Sequence, residues 1–328
     1  MSASEEKYQQ YVQKKQAQWH PPADCLQALF RKATGTGATR FDRVVKGGAN
    51  EVYFASTPAG DELVVRILRE QRDGVPGGGA EEAWCLDMCR KAGLPVPEVV
   101  ALDTIQVEGQ TLDALLLTKL RGAPFSEHIP GLSPKQIDTG YRRMGEALSR
   151  LHAIQVGGYY RRAPEDGVWD YPDWDASCKD AYQSRSADAP HLQKAGFSAA
   201  DIDRALGCIG RYAEELRGHP PVLCHGDFGP EHVFFDDALA LSGVIDFGSY
   251  AGDHPVGDFA YISMELGDGV RDAIGAGYGP AYDEQFVRGV KLRKTITLIG
   301  YLAHHIQIPG HPSTPGYIAG LRKALAGI

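Results

Sequence analysis

The sequence predicts an α+β chain in two lobes: a small N-terminal lobe built on a mostly antiparallel sheet, and a larger, mainly helical C-terminal lobe. Three observations carry this. At 328 residues, with 43% hydrophobic and 23% charged residues, the chain is long enough to bury two sizeable cores. From Phe41 to Leu120 short apolar runs are punctuated by glycine- and proline-bearing turns, the mark of strands. After Ser133 the apolar spacing becomes helical. The boundary is expected near residue 118, giving lobes 1–118, with a helical N-terminal extension, and 119–328.

Residues 1–40 read as two helical pieces separated by Pro21-Pro22. In the second, Cys25, Leu26, Leu29 and Phe30 form a stripe that closes near Gly35 and suits packing against the first lobe. Three strands follow: Phe41 to Lys46, Glu51 to Ala55 and Leu63 to Ile67. The turn Gly47-Gly48-Ala49-Asn50 between the first two can bring backbone N–H groups close to phosphate oxygens; a plain hairpin turn is the alternative. Residues 70–79 form a glycine-rich loop before a helix, Ala80 to Ala92. Cys85 and Cys89 sit there at i,i+4, a spacing that reads as helix packing rather than metal binding. Pro95 to Leu102 and Leu112 to Leu120 continue the sheet up to the break at Arg121-Gly122.

Ser133-Pro134 starts a helix with Ile137, Tyr141, Met144, Leu148 and Leu151 on one face, and His152 near its end has a structural role. Asp170, Asp173, Trp174 and Asp175 then interleave acids with rings. That mixture suits a pocket for a positively charged, polyhydroxylated ligand as well as it suits a surface loop with aromatic anchors. Glu265 and Asp268 are candidates for binding amines, with helix-surface acids the equal reading.

Net charge of −8 argues against nucleic acid or an anionic membrane as the main partner. No apolar run is long enough to cross a bilayer, and Met1-Ser-Ala-Ser-Glu-Glu-Lys has no signal core, so the expected location is the cytoplasm. The six scattered cysteines suit reduced thiols.

The chemistry concentrates in His225-Gly226-Asp227, with His232 five residues beyond the aspartate, and in Val244-Ile245-Asp246-Phe247-Gly248. Asp227, His232 and Asp246 fall at expected strand ends. Phosphoryl transfer to a hydroxyl requires a carboxylate to orient the hydroxyl and take its proton, and further ligands to hold magnesium against the phosphates. With Gly252-Asp253-His254-Pro255 and Asp258-Phe259-Ala260 downstream, the pattern resembles the aminoglycoside phosphotransferase (choline kinase-like) family, and among its members most the 2″-phosphotransferases. The resemblance covers roughly residues 26–325.

It implies a protein-kinase-like fold and a kinase that uses ATP or GTP with Mg2+ on a hydroxyl of an aminoglycoside-type acceptor, giving antibiotic resistance. Asp227 becomes the catalytic base, with His232 and Asp246 as metal ligands; His232 stands where the family usually has Asn. Gly47, Gly48, Ala49, Asn50 and Arg66 grip the phosphates, and Glu82, or else Glu81, pairs with Arg66. Backbone groups from about Leu117 to Leu120, Thr118 and Leu120 among them, meet the purine. Asp258 caps its helix and braces the catalytic loop. Other acceptors, macrolide, choline-like or homoserine-like, stay open. So do a metal-dependent hydrolase built on His225, Asp227, His232, Asp246 and His254, and a nucleotide-binding scaffold without activity.

Overall fold

The computed structural model describes residues 21–44, 50–69, 78–308 and 311–328. The chain divides into two compact units. One runs to Ala123 and takes in Phe234–Gly248; the other comprises Pro124–Val233 and Ser249–Ile328. The sequence-based boundary at 118/119 therefore lies five residues before the first crossing, and no linear reading assigns 234–248 to the first unit.

In the first unit, helix α1 (Ala23–Thr34) precedes strands β1 (Arg40–Val44), β2 (Glu51–Ser56) and β3 (Glu62–Ile67). Helix α2 (Gly79–Lys91) then leads to β4 (Val99–Val107) and β5 (Gln110–Thr118). The five strands form one antiparallel sheet in the order β1-β2-β3-β5-β4. Its core follows from period-2 alternation: Tyr53, Ala55, Val65, Ile67, Leu112, Ala114 and Leu116 are buried together with Leu26, Leu29 and Phe30 of α1. The apolar stripe of α1 thus covers the sheet of its own unit, as its spacing predicts.

After β6 (Ala123–Pro124) and the single turn α3 (Phe125–His128), the second unit is mostly helical. Helix α4 (Pro134–His152) starts on a capping box from Ser133 and Gln136, and buries Met144, Leu148 and Leu151. Strands β7 (Tyr159–Arg162) and β8 (Trp169–Tyr171) are followed by helices α5 (Trp174–Ala187), α6 (Ala189–Lys194) and α7 (Ala199–Glu215). Strand β9 (Val222–Cys224) comes next. The hairpin β10 (Val233–Phe235) and β11 (Leu241–Val244) carries the chain through the first unit, where the Val244 N–H donates to the Pro95 carbonyl at 3.0 Å. Back in the second unit, β12 (Ala251–Asp253) precedes α8 (Val256–Glu265), α9 (Asp268–Tyr278), α10 (Glu284–His305) and α11 (Thr314–Ala326). β9 and β12 pair antiparallel, Leu223 opposite Gly252. Leu298, Ile299 and Leu302 of α10 pack with Leu192, Ile202, Leu321 and Leu325 in a fully buried cluster. No helix among the described residues is long and apolar enough to cross a membrane.

Candidate active site

The loop from His225 to His232 leaves β9 and is pinned from beneath. Asp258, in the first turn of α8, accepts hydrogen bonds from the His225 N–H at 2.8 Å and the Gly226 N–H at 2.7 Å, and from His152 Nε2 at 3.0 Å. It is fully buried. Burial alone raises the pKa of such a carboxyl; the His152 and His225 contacts outweigh it and leave it below the usual range. The brace is as expected, the cap is not: α8 begins after Pro255 with no side-chain cap, and the Asp258 oxygens face the loop. Tyr278 holds the other ring nitrogen of His152 at 3.0 Å.

Gly226 makes the bend. Its φ is +79°, and an added Cβ would stand 1.9 Å from the Ser249 carbonyl oxygen. Gly226→Ala is therefore expected to lower stability by at least about 1–2 kcal/mol from the left-handed backbone alone, and to lower kcat as the loop shifts. Urea midpoints and initial rates check both.

The bend presents Asp227, whose side chain is 31% exposed. The His225 Nδ1 accepts from the Asp227 N–H at 3.2 Å, so its proton is on Nε2. His232 is the opposite tautomer: Nδ1 lies 2.7 Å from the Asp227 backbone carbonyl, which only accepts, so the lone pair sits on Nε2. Around Asp227 the structure gathers two tyrosines that the sequence reading missed, together with Glu265, which it named. Tyr261 donates its hydroxyl to the Asp227 carboxylate, and burial together with that charge pushes the phenol well above its usual pKa. Tyr301 is raised to about 12, by burial first and then by Asp227 and Glu265. Glu265 itself is raised, by desolvation, then Asp227, then Glu231. Asp258, Tyr261 and Glu265 recur at 3,4 spacing on α8, a signal legible in the sequence once Asp258 is placed. Oxygen and nitrogen ligand atoms of Asp227, Glu231 and His232 lie within 4.8 Å of one another.

The first unit carries a second constellation. Arg66 on β3 donates through Nη1 to Glu82 Oε1 at 2.7 Å and pairs through Nη2 with Asp246. Arg66 and Glu82 are buried, Glu82 with 1% exposure. Burial and the Asp246 charge push the Glu82 pKa up while Arg66 pulls it down. Asp246 adopts a left-handed φ of +68°, a conformation that aspartate tolerates better than most side chains. Glu81, the alternative partner, instead accepts from the Gly78 N–H at α2's start.

Other candidates have local partners. Asn50 accepts from the Arg69 N–H at 3.4 Å, and Gly47, Gly48 and Ala49 lie outside the described residues. Thr118 gives its N–H to the Glu98 carbonyl at 2.9 Å and accepts from the Glu98 N–H at 2.8 Å, so that N–H is spent within the sheet edge; Leu120 is half buried beyond it. Trp174 is a core residue, 8% exposed, whose indole donates to the Ala213 carbonyl at 2.8 Å. Asp173 caps α5, Asp175 pairs with Arg217, and Asp170 accepts from the Arg161 N–H. Asp268 binds Ser263 and Arg271 at the start of α9. This stretch of acids and rings is thus a strand followed by a capped helix, held by its own partners. For the hydrolase reading, His254 is buried and its Nδ1 accepts from the Val256 N–H, and its pKa falls to about 3 through burial.

A cavity of about 570 Å³ opens within the second unit between α5, β12 and α10, with Tyr301 in its wall. Tyr301 thereby links the cavity to the surroundings of Asp227.

An antiparallel sheet unit bearing a buried Arg–Glu pair, and a helical unit presenting an aspartate on a braced loop, define a protein-kinase-like phosphotransferase fold. The model of the phosphotransferase enzyme family (APH) matches residues 41–289, and the chain belongs to this family. Homoserine kinase of Caulobacter sp. (strain K31) is 28% identical over 214 residues, 64% of this chain and 59% of the relative; that of Caulobacter vibrioides (strain NA1000 / CB15N) is 26% identical over 211 residues. The chain thus spans 59% of the length of these relatives. Among solved structures, a thermostable mutant of aminoglycoside phosphotransferase APH(4)-Ia, in ternary complex with AMP-PNP and hygromycin B, superposes with TM-score 0.70 at 14% identity, covering 93% of this chain and 98% of that one. The GDP and kanamycin complex of APH(2")-IIia gives TM-score 0.62 at 17% identity, covering 92% and 98%.

Proposed function

We propose that the chain is a small-molecule kinase that transfers the γ-phosphoryl group of ATP or GTP to a hydroxyl of a small, amine-bearing acceptor. The observation that carries this is the mounting of Asp227: partly exposed, on a loop whose two preceding N–H groups are bonded to a buried carboxylate. Asp227 orients the acceptor hydroxyl and takes its proton as the O–P bond forms. Arg66, already holding two carboxylates, has the planar donor fork to bond phosphate oxygens as well.

Each residue by itself has the chemistry of a divalent-ion ligand: Asp246 offers a carboxylate 33% exposed, and the His232 tautomer directs its lone pair through Nε2. Asp246 and His232 would hold magnesium, which neutralises charge on the phosphates; an imidazole among its ligands is unusual, since magnesium favours oxygen. Nucleotide binding accords with the AMP-PNP and GDP in the similar structures. Arg66→Met is expected to raise the nucleotide KM about tenfold or more, the loss of one charge-assisted bond, as read by steady-state titration of ATP and GTP.

For the acceptor, an aminoglycoside is the first reading, with antibiotic inactivation in the cytoplasm as its consequence. The hygromycin B and kanamycin complexes of similar fold support it, as do the acids Glu231 and Glu265 near Asp227. An amino-acid alcohol is the second, favoured by the homoserine kinases among sequence relatives. Nucleotide turnover measured against aminoglycosides, macrolides and amino alcohols tests the proposal. Absence of acceptor-dependent turnover across that panel would refute it.

A further inference from the structure

The charges around the 570 Å³ cavity say what its occupant carries. Two acids and two arginines face it, Asp180 and Asp253 against Arg185 and Arg293. Asp253 and Arg293 satisfy each other at 2.5 Å, and Asp253 also accepts from the His254 N–H at 2.8 Å. Asp180 and Arg185, both on α5, are differently placed. Among the described residues Asp180 takes hydroxyl donors, Ser184 at 3.4 Å and the half-buried Tyr171, whose pKa is raised by burial and by its bond to Asp180. No cationic side chain among the described residues pairs with it.

Arg185 meets an ionic partner, Asp188, through Nε at 3.0 Å, and among the described residues its two Nη atoms, Nη1 packed against α10, make no hydrogen bond. Its place is built in: a Cβ added at Gly300 on α10 would stand 1.5 Å from Arg185 Nη1, so the absent side chain at 300 makes the room this guanidinium occupies. The wall therefore presents one anion and one cation, with tyrosine, serine and threonine hydroxyls between. A polycation entering a wall of zero formal charge finds a counter-charge for one ammonium and none for the rest.

We propose that this cavity binds a zwitterionic alcohol, its ammonium on Asp180 and its carboxylate or other anionic group on Arg185, and that Tyr301 is the side at which its hydroxyl approaches Asp227. This rests on the kinase reading above and takes its second acceptor class, the amino-acid alcohol, in place of the polycationic aminoglycoside.

The test uses the full chain, titrated calorimetrically and assayed for phosphoryl transfer with four probes: homoserine, 3-aminopropan-1-ol, which lacks the carboxylate, 4-hydroxybutyrate, which lacks the ammonium, and kanamycin. Homoserine is expected to bind about tenfold or more tightly than each of the others. Arg185→Met removes the preference over 3-aminopropan-1-ol and leaves that compound's own affinity unchanged; Asp180→Asn removes the preference over 4-hydroxybutyrate. The wild-type comparison stands even if a variant does not fold. Tighter binding of kanamycin than of homoserine, equal binding of homoserine and its truncated forms, or a folded Arg185→Met variant with the preference intact overturns the inference. The expected binding order with no phosphoryl transfer to any probe would instead count against the kinase reading and leave the cavity assignment in place.

Discussion

Asp227→Asn is expected to lower kcat by about 10²–10⁴-fold, the range for loss of a positioned general base, while the nucleotide Kd stays within about twofold because the phosphate-binding groups are untouched. The asparagine keeps the shape, the bond from Tyr261 and the loop conformation, and cannot take a proton. That separation matters, since Asp227 sits among Glu231, Glu265 and two tyrosines, and alanine would also disturb their packing. Steady-state rates with nucleotide binding by fluorescence or calorimetry decide it. Turnover within tenfold of wild type would remove Asp227 from the base's role.

Asp258→Ala is the second large effect, and it falls on stability as well as rate. The carboxylate is fully buried and receives two backbone N–H groups and an imidazole. Removing it strands all three, a loss of roughly 3–5 kcal/mol. At about 2–4 °C per kcal/mol for a unit of this size, the melting temperature falls by roughly 6–20 °C. Asp258→Asn, which retains one acceptor oxygen, should lie between. The pH dependence has a definite sign. The folded-state pKa of Asp258 is lowered, so its contribution is fully present above the unfolded carboxyl pKa near 4 and is lost as pH falls through the folded value. Wild type should therefore lose more stability than the alanine variant on acidification below about pH 4, as calorimetry at a series of pH values would read.

Local pattern made part of this legible. Strand alternation and the stripe of α1 announce the sheet unit and its cover, and the Ser133-Pro134 start announces α4, because each depends on neighbours in sequence. The choice of Glu82 for Arg66 comes from the family resemblance, since the helical pattern by itself leaves Glu81 open as the partner. Trp174, Asp173 and Asp175 could not be judged that way. A helix cap, a surface ion pair and a core indole have the same residue types as a sugar-binding platform, and only tertiary partners separate them. Tyr301 and Arg185 were silent for the same reason: their meaning comes from α10 and α5 lying side by side around a cavity, a contact across more than a hundred residues. The membership of 234–248 in the first unit is likewise a matter of pairing, Val244 with Pro95 and Asp246 with Arg66, which no periodicity encodes.

That last excursion bears on how the protein can be taken apart. The backbone passes between the units at 123/124, 233/234 and 248/249. A truncation at Ala123 therefore yields an incomplete module, with the Pro95 carbonyl deprived of its donor and Arg66 of one of its two acids. Dissecting the molecule into autonomous fragments calls for grafting the 234–248 hairpin onto the first piece through a new linker and bridging 233 to 249 in the second; a single scissile position cannot do it.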